Sequence, residues 1–252
     1  MITLSSDFGS PYPAAMRAVI CRESDARIVD VSHDFPRQDV RAAAFWLREI
    51  LPEFPPATHC VVVDPGVGTD RAALAIEAGE HVLVGPDNGV LAPVARALDD
   101  GDGPTVYEIP IDDPASTTFH GRDVFAPATA RVHDAGPPAT IDEYDRVESW
   151  VDLEFPDPTP VEGGVNGEII AVDDFGNAIT TIGGDALVEH VGEAVTVNGV
   201  WAPARRTYAA VDPDNRVVTI GSHGNVELAV NRGRGDDRFS VSPGSRVRLR
   251  WT

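Results

Sequence analysis

Over its first half the chain switches repeatedly between two apolar periods, and the switches predict alternating strands and helices. Ile2-Thr3-Leu4-Ser5 reads as a first strand. Pro13 then opens a helix whose apolar face is Ala14, Ala15, Met16, Ala18, Val19 and Ile20. Residues 26–31 read as a second strand. Asp39 is placed to cap a helix running to about Leu51, with Val40, Ala43, Ala44 and Leu47 at helical spacing, and Pro52, Pro55 and Pro56 stop it. Residues 58–63 form an apolar, valine-rich run, as expected of a strand buried on both faces. Two strands at 72–78 and 81–84 flank a Gly79-Glu80 turn; a helix at 90–98, a strand at 105–109 and a helix at 124–132 follow. This alternation predicts a mostly parallel sheet with helices on its faces.

The pattern then changes. Residues 141–165 are proline-rich with little apolar periodicity and read as a connector. Beyond it the apolar runs are short and punctuated by turns. Asn198-Gly199 between Val195-Thr196-Val197 and Val200-Trp201 is a strong hairpin signal. With further strands at 216–219, 226–230 and 246–251, the C-terminal part reads as a small antiparallel β-barrel. The predicted fold class is therefore α/β: an N-terminal α/β/α sandwich over 1–140, the connector, and a barrel domain over 166–252.

Composition narrows the chemistry. Forty acidic residues oppose twenty basic ones, for a formal charge of -20, and the sequence has no lysine, so every one of those cations is an arginine. A chain so acidic suits high ionic strength, where surface charge is screened, and points to a salt-loving source such as a halophilic archaeon. Without lysine there is no phosphate-loop lysine and no Schiff-base or pyridoxal-phosphate lysine. The charge argues against a nucleic-acid partner. Cys21 and Cys60 form no C-x-x-C pair and read as buried free thiols. Met1 leads directly into the first strand, with no basic leader or long apolar segment, so a soluble, cytoplasmic protein with no membrane association is expected.

Candidate chemistry gathers on the glycine-punctuated loops that follow the strands. Asp7 follows the first strand. Asp64 ends the strand at 58–63 and precedes the bare loop Pro65-Gly66-Val67-Gly68, with Arg71 close enough to fold back and pair with it. Asp87-Asn88 and His120 sit on two further loops. In a parallel sheet all these loops fall at one edge, where open α/β sheets bind ligands. The same residues also have ordinary uses, as solvated turn residues or, for His120, at a helix entry. In the C-terminal part, Asp173-Asp174-Phe175-Gly176-Asn177 offers an aromatic that could stack on a base and an amide that could read a purine edge. A tight turn with a core Phe fits it equally. Gly221-Ser222-His223-Gly224-Asn225 is a second small polar loop.

Taken together these segments resemble the S-adenosyl-L-methionine hydroxide adenosyltransferases, relatives of the fluorinating and chlorinating adenosyl enzymes. The resemblance lies in Leu4-Ser5-Ser6-Asp7-Phe8-Gly9, Val31-Ser32-His33, Val62-Val63-Asp64-Pro65-Gly66-Val67-Gly68-Thr69, Pro86-Asp87-Asn88-Gly89, Thr118-Phe119-His120-Gly121-Arg122-Asp123, Asp174-Phe175-Gly176-Asn177 and Ala229-Val230-Asn231-Arg232-Gly233, in the family's order.

It implies hydrolysis of S-adenosyl-L-methionine to adenosine and L-methionine, with Asp64, Arg71 and His120 positioning and activating a water and no metal or organic cofactor. It implies a homotrimer whose sites lie between the N-terminal domain of one subunit and the barrel of the next. Asp7 would hold the ribose hydroxyls, Asp173 the methionine ammonium and Ser222 its carboxylate. Asn177, with the Glu227 and Val230 region, would read the adenine; Phe8, Gly121 and Phe175 complete the substrate-binding set. The halogenating relatives replace the acid and the histidine, both kept here, and have an arginine where this chain has His223. Halide-dependent adenosyl transfer and a non-catalytic adenosine-binding module are the alternatives.

Overall fold

The computed structural model describes residues 1–111 and 115–251, which form two compact units, Met1–Glu154 and the remainder from Phe155. The first unit contains β1 (Ile2–Ser6), α1 (Tyr12–Glu23), β2 (Ile28–Ser32), α2 (Val40–Ile50), β3 (Thr58–Val62), β4 (Ala73–Ala78), β5 (His81–Pro86), α3 (Ala92–Leu98), β6 (Thr105–Ile109), α4 (Ala126–Ala135) and β7 (Asp145–Val147). Its seven strands lie in the order β2-β1-β3-β5-β4-β6-β7. The pairs β1–β2, β1–β3 and β3–β5 are parallel, while β4 pairs antiparallel with both β5 and β6, and β7 with β6. Hence β1, β2, β3, β5 and β6 all run one way, and their C-terminal ends share one edge.

Period-two burial explains the layering. Ile2, Leu4, Cys60, Val62 and Val84 pack with Met16 and Ile20 of α1 and Ala128, Ala130 and Val132 of α4. The intervening Thr3, Val61 and Leu83 are buried as well, so the sheet is covered on both faces, as the apolar run at 58–63 requires. Asp39 caps α2 as expected, its carboxylate accepting from the Ala42 amide at 2.9 Å. Cys60 is buried, but Cys21 is exposed, which corrects the expectation of two buried thiols. It lies one residue past Ile20, about 100° around α1 from the face that carries Met16 and Ile20.

At the opposite, N-terminal edge of these strands sits a polar chain that runs from buried Thr3 and His59 out to half-buried His81. Thr3 Oγ1 lies 2.7 Å from His59 Nδ1, and His59 Nε2 lies 2.8 Å from His81 Nδ1, with the two imidazoles stacked. Burial, reinforced by the neighbouring His81, pushes the His59 pKa down to about 3.

The second unit contains β8 (Thr159–Val161), β9 (Gly164–Val172), β10 (Ala178–Gly183), α5 (Asp185–Val188), β11 (Ala194–Val197), β12 (Val200–Pro203), β13 (Arg216–Ile220), β14 (Asn225–Val230), α6 (Gly235–Phe239) and β15 (Arg246–Trp251). Its antiparallel sheet runs β12-β11-β15-β9-β10-β14-β13, with β8 added on β9. A bridge between Ala204, just past β12, and Val218 of β13 brings the two edges together, so the sheet closes nearly into a barrel. Asn198 and Gly199 turn the β11–β12 hairpin with φ of 51° and 84°, the left-handed pair that such a turn needs. The proline-rich stretch is not featureless: β7 extends the first unit's sheet and β8 the second's. Among the described residues no helix is long and apolar enough to cross a membrane.

Candidate active site

Three of the sequence-selected side chains make one contact group at the C-terminal strand edge. Asp64 follows β3, and the Pro65–Asp70 loop returns Arg71 to it. Arg71 forks onto the carboxylate, Nε donating to Oδ1 at 3.2 Å and Nη2 donating to Oδ2. The Gly66 amide also donates to Oδ1, and Arg71 Nη1 donates to the Ala72 carbonyl at 2.8 Å. The side chains of Asp64 and Arg71 are only 5% and 8% exposed. A bidentate pair this secluded resists screening, and removing either partner would strand a charge. The guanidinium rests over the Phe125 ring, 5.1 Å from its centroid.

His120 joins from the loop after β6. It heads a five-residue π-helical turn, Gly121–Phe125, that runs into α4. Pro127 lacks an N–H for the carbonyl four residues back, which accounts for a widened turn at this point. Nδ1 of His120 lies 3.3 Å from Arg71 Nη2. A guanidinium only donates, so Nδ1 accepts, and the neutral ring carries its proton on Nε2. Burial, then the Arg71 charge, hold the His120 pKa below its ordinary value, against the opposing pull of Asp64 and Asp123. The residue is 4% exposed.

The loops fit one another closely. Gly68 adopts φ 77°, and a Cβ there would lie 2.6 Å from the Thr117 carbonyl oxygen. Phe8, Tyr12 and Phe119 form an edge-to-face cluster with centroids 5.3 to 6.1 Å apart. Gly121 abuts it, since a Cβ would meet Met16 Sδ at 3.1 Å and the Phe119 ring at 3.2 Å. Asp7 is buried at the end of β1, its Oδ2 accepting from the Gln38 amide at 2.6 Å. Asp87 and Asn88 have structural partners: Asp87 accepts from the Val151 amide, and Asn88 donates to the Val63 carbonyl.

In the second unit Asp173 and Asn177 hydrogen-bond to each other, and Phe175 between them is 80% exposed. Gly176, at φ 86°, lies against Arg234, and its carbonyl accepts from the Gly235 and Asp236 amides. Ser222 is exposed on the turn between β13 and β14, and Val230 is buried at the end of β14. Glu227 is buried with both carboxylate oxygens engaged, by Tyr208 and by His223. Sequence reasoning missed Tyr208, Gln38 and Tyr12. Each acts from a loop or helix start with no motif of its own, so nothing local could have flagged them. Among the described residues no group of three or more His, Cys, Asp or Glu is arranged to hold a metal ion.

With this geometry in view, comparison with known proteins is specific. Residues 2–142 match the SAM hydroxide adenosyltransferase N-terminal domain, and residues 167–248 match the C-terminal domain of the same family. The chain is 38% identical over 255 residues to an (R)-S-adenosyl-L-methionine hydrolase of Salinispora tropica, covering 98% of this chain and 97% of that protein. A Thermus thermophilus protein of the same name is 41% identical over 256 residues, with 97% of each chain covered. Among solved structures, an uncharacterized conserved protein of Thermotoga maritima superposes with a TM-score of 0.87 at 33% identity, covering 99% of this chain and 100% of that one. A conserved hypothetical protein of Thermus thermophilus gives 0.79 at 38% identity, with 98% of each chain covered. The chain belongs to the SAM hydroxide adenosyltransferase family.

Proposed function

We propose that this protein hydrolyses S-adenosyl-L-methionine to adenosine and L-methionine, with Asp64, Arg71 and His120 positioning and activating the attacking water. The observation that carries the reading is the contact of Arg71 with both Asp64 and His120, in a chain whose near-full-length relatives are named S-adenosyl-L-methionine hydrolases.

The water oxygen bonds to ribose C5′ as the C5′–S bond breaks, and that electron pair returns to sulfur. Methionine departs as a neutral thioether, so departure needs no acid. The demand falls on the nucleophile, which is weak and must lose a proton. In the tautomer that Arg71 imposes, His120 offers an N–H to the water oxygen, and Asp64 offers the lone pairs that receive its proton. The chemistry calls for no metal or organic cofactor.

The remaining assignments follow the same substrate. Asp7 takes the ribose hydroxyls, beside Phe8 and Gly121. Asp173 takes the methionine ammonium, Ser222 the carboxylate, and Phe175 and Asn177 the adenine. The exposure of Phe175 supports a partner ring or a neighbouring copy lying over it, and the working form in this reading is a homotrimer with sites shared between subunits. The lysine-free, acidic composition fits the cytoplasm of a halophilic archaeon.

The test is incubation with each sulfonium epimer of the substrate in molar potassium chloride, followed by chromatography of the products. Adenosine and methionine in equal amounts are expected. Asp64→Asn and His120→Ala should each lower kcat on the order of 10²- to 10⁴-fold while leaving the chain folded and able to bind adenosine. A chlorinated nucleoside product would assign halide as nucleophile, and tight binding without release of methionine would make the protein a binding module.

A further inference from the structure

Glu227 sits in the middle of the barrel sheet, opposite Ile179 of β10 and Thr219 of β13. Its neighbours Val226 and Leu228 point into the apolar core, so the carboxylate lies on the other face. It is 4% exposed. An unpaired carboxylate there would be costly, and this one is held on both oxygens. Tyr208 donates its hydroxyl to Oε2 at 2.6 Å, and His223 Nε2 lies 3.0 Å from Oε1.

The direction of the second bond follows from the carboxylate itself. An ionised carboxylate only accepts, so His223 Nε2 carries the proton and the ring donates to Glu227. Nδ1 faces Asn225, 3.3 Å from its backbone amide and 3.2 Å from its side-chain Oδ1. Desolvation pushes the Glu227 pKa up, but the bonds from His223 and Tyr208 outweigh it and hold the group below its ordinary value.

This geometry ties three separate segments to one buried charge: the loop holding Tyr208, the Gly221–Asn225 turn and β14. The turn is built around it. A Cβ on Gly221 would lie 2.3 Å from Glu227 Oε1, and Asn225 Nδ2 anchors the far side of the turn on the Thr180 carbonyl at 2.9 Å. Ser222 rides on this turn with an exposed side chain. Burial, then the bond and charge of Glu227, then the charge of Asp173, all push the Tyr208 pKa up, so its hydroxyl stays a donor.

We infer that Glu227, through His223 and Tyr208, is a positioning residue that fixes the Gly221–Asn225 turn and so presents Ser222 to the methionine end of the substrate. The inference rests on the hydrolase reading for the identity of that substrate, but the anchoring of the turn can be measured without turnover.

Tyr208→Phe removes one bond with little change of shape, and Glu227→Gln converts one acceptor into a donor. Hydrogen exchange at the amides of residues 221–225 should quicken in both variants. In steady-state assays both should raise KM for S-adenosyl-L-methionine about 5- to 10-fold, the worth of about one net hydrogen bond, with kcat within about twofold. Adenosine affinity, by calorimetry, should be unchanged, and Ser222→Ala should reproduce the rise in KM. Unchanged exchange would overturn the inference, as would an unchanged KM in a loosened turn. Loss of adenosine affinity in Glu227→Gln would instead make Glu227 a direct reader of the nucleoside. Absence of turnover in the wild type would sink the hydrolase reading and leave the exchange result to decide the anchoring.

Discussion

Asp173 holds Asn177 at two points, Oδ1 accepting from the Asn177 backbone amide at 2.7 Å and Oδ2 from its side-chain amide at 2.9 Å. The second bond settles which way the carboxamide faces. Nδ2 is turned toward Asp173, so Oδ1 is presented as the acceptor, the polarity that an exocyclic amine requires. The two residues chosen for opposite ends of the substrate are thus one mechanical unit.

Substitution of either partner should therefore disturb nucleoside binding. Asn177→Ala should weaken adenosine binding about 5- to 10-fold, the worth of one net hydrogen bond. Asp173→Asn should weaken it as well, because its new amide can turn the Asn177 carboxamide around. Calorimetry with adenosine, which lacks the methionine that Asp173 is assigned to hold, checks both. An unaffected Asp173→Asn protein would uncouple the pair.

The Arg71–His120 contact predicts how the imidazole titrates. Burial and the guanidinium charge both disfavour protonation, so the His120 ring should remain neutral to below pH 6.5. Arg71→Gln removes the charge and keeps a hydrogen-bonding head, and should move the midpoint upward. A two-dimensional NMR titration of the His120 ring in both proteins measures this independently of activity. An unmoved midpoint would mean that burial alone sets it.

His59 predicts sensitivity to acid. Its folded pKa of about 3 lies far below the unfolded value near 6.5. Below pH 6.5 the unfolded chain takes up a proton that the folded chain refuses, so this stability is complete above pH 6.5 and drains away as the pH falls toward 3. At pH 5 the loss comes to about 2 kcal/mol. Urea unfolding at pH 7 and pH 5 should show it, and His59→Gln should lose about 2 kcal/mol less than the wild type over the same interval. Equal losses would remove His59 from the account.

Much of both units was legible because the signals are local. The Asp39 cap, the Gly79-Glu80 turn and the Asn198-Gly199 hairpin each rest on residues that favour one backbone geometry. Asp64 and Arg71 could be paired on paper because a short glycine loop separates them. His120 required one more step, that β6 runs parallel to β3, which brings the loops after both strands to one edge. β7 escaped notice because Asp145-Arg146-Val147 shows no alternation and enters the sheet by backbone bonds to β6 alone. The partners of Glu227 were hidden for a related reason. A glutamate within an apolar strand invites a ligand-reading role, and only the fold reveals the tyrosine and histidine that satisfy it.

The seating of Gly68 on the Thr117 carbonyl has a consequence for any attempt to redesign the nucleophile. The segment that delivers the acid and the segment that delivers the imidazole are moulded to each other, with less than a methyl group of slack between them. Exchanging one of them for its counterpart in a halogenating enzyme would drag the other out of place. Such a transplant should work only when both pieces are moved as a set, and a single-residue swap at Asp64 or His120 should cost activity without conferring a new one.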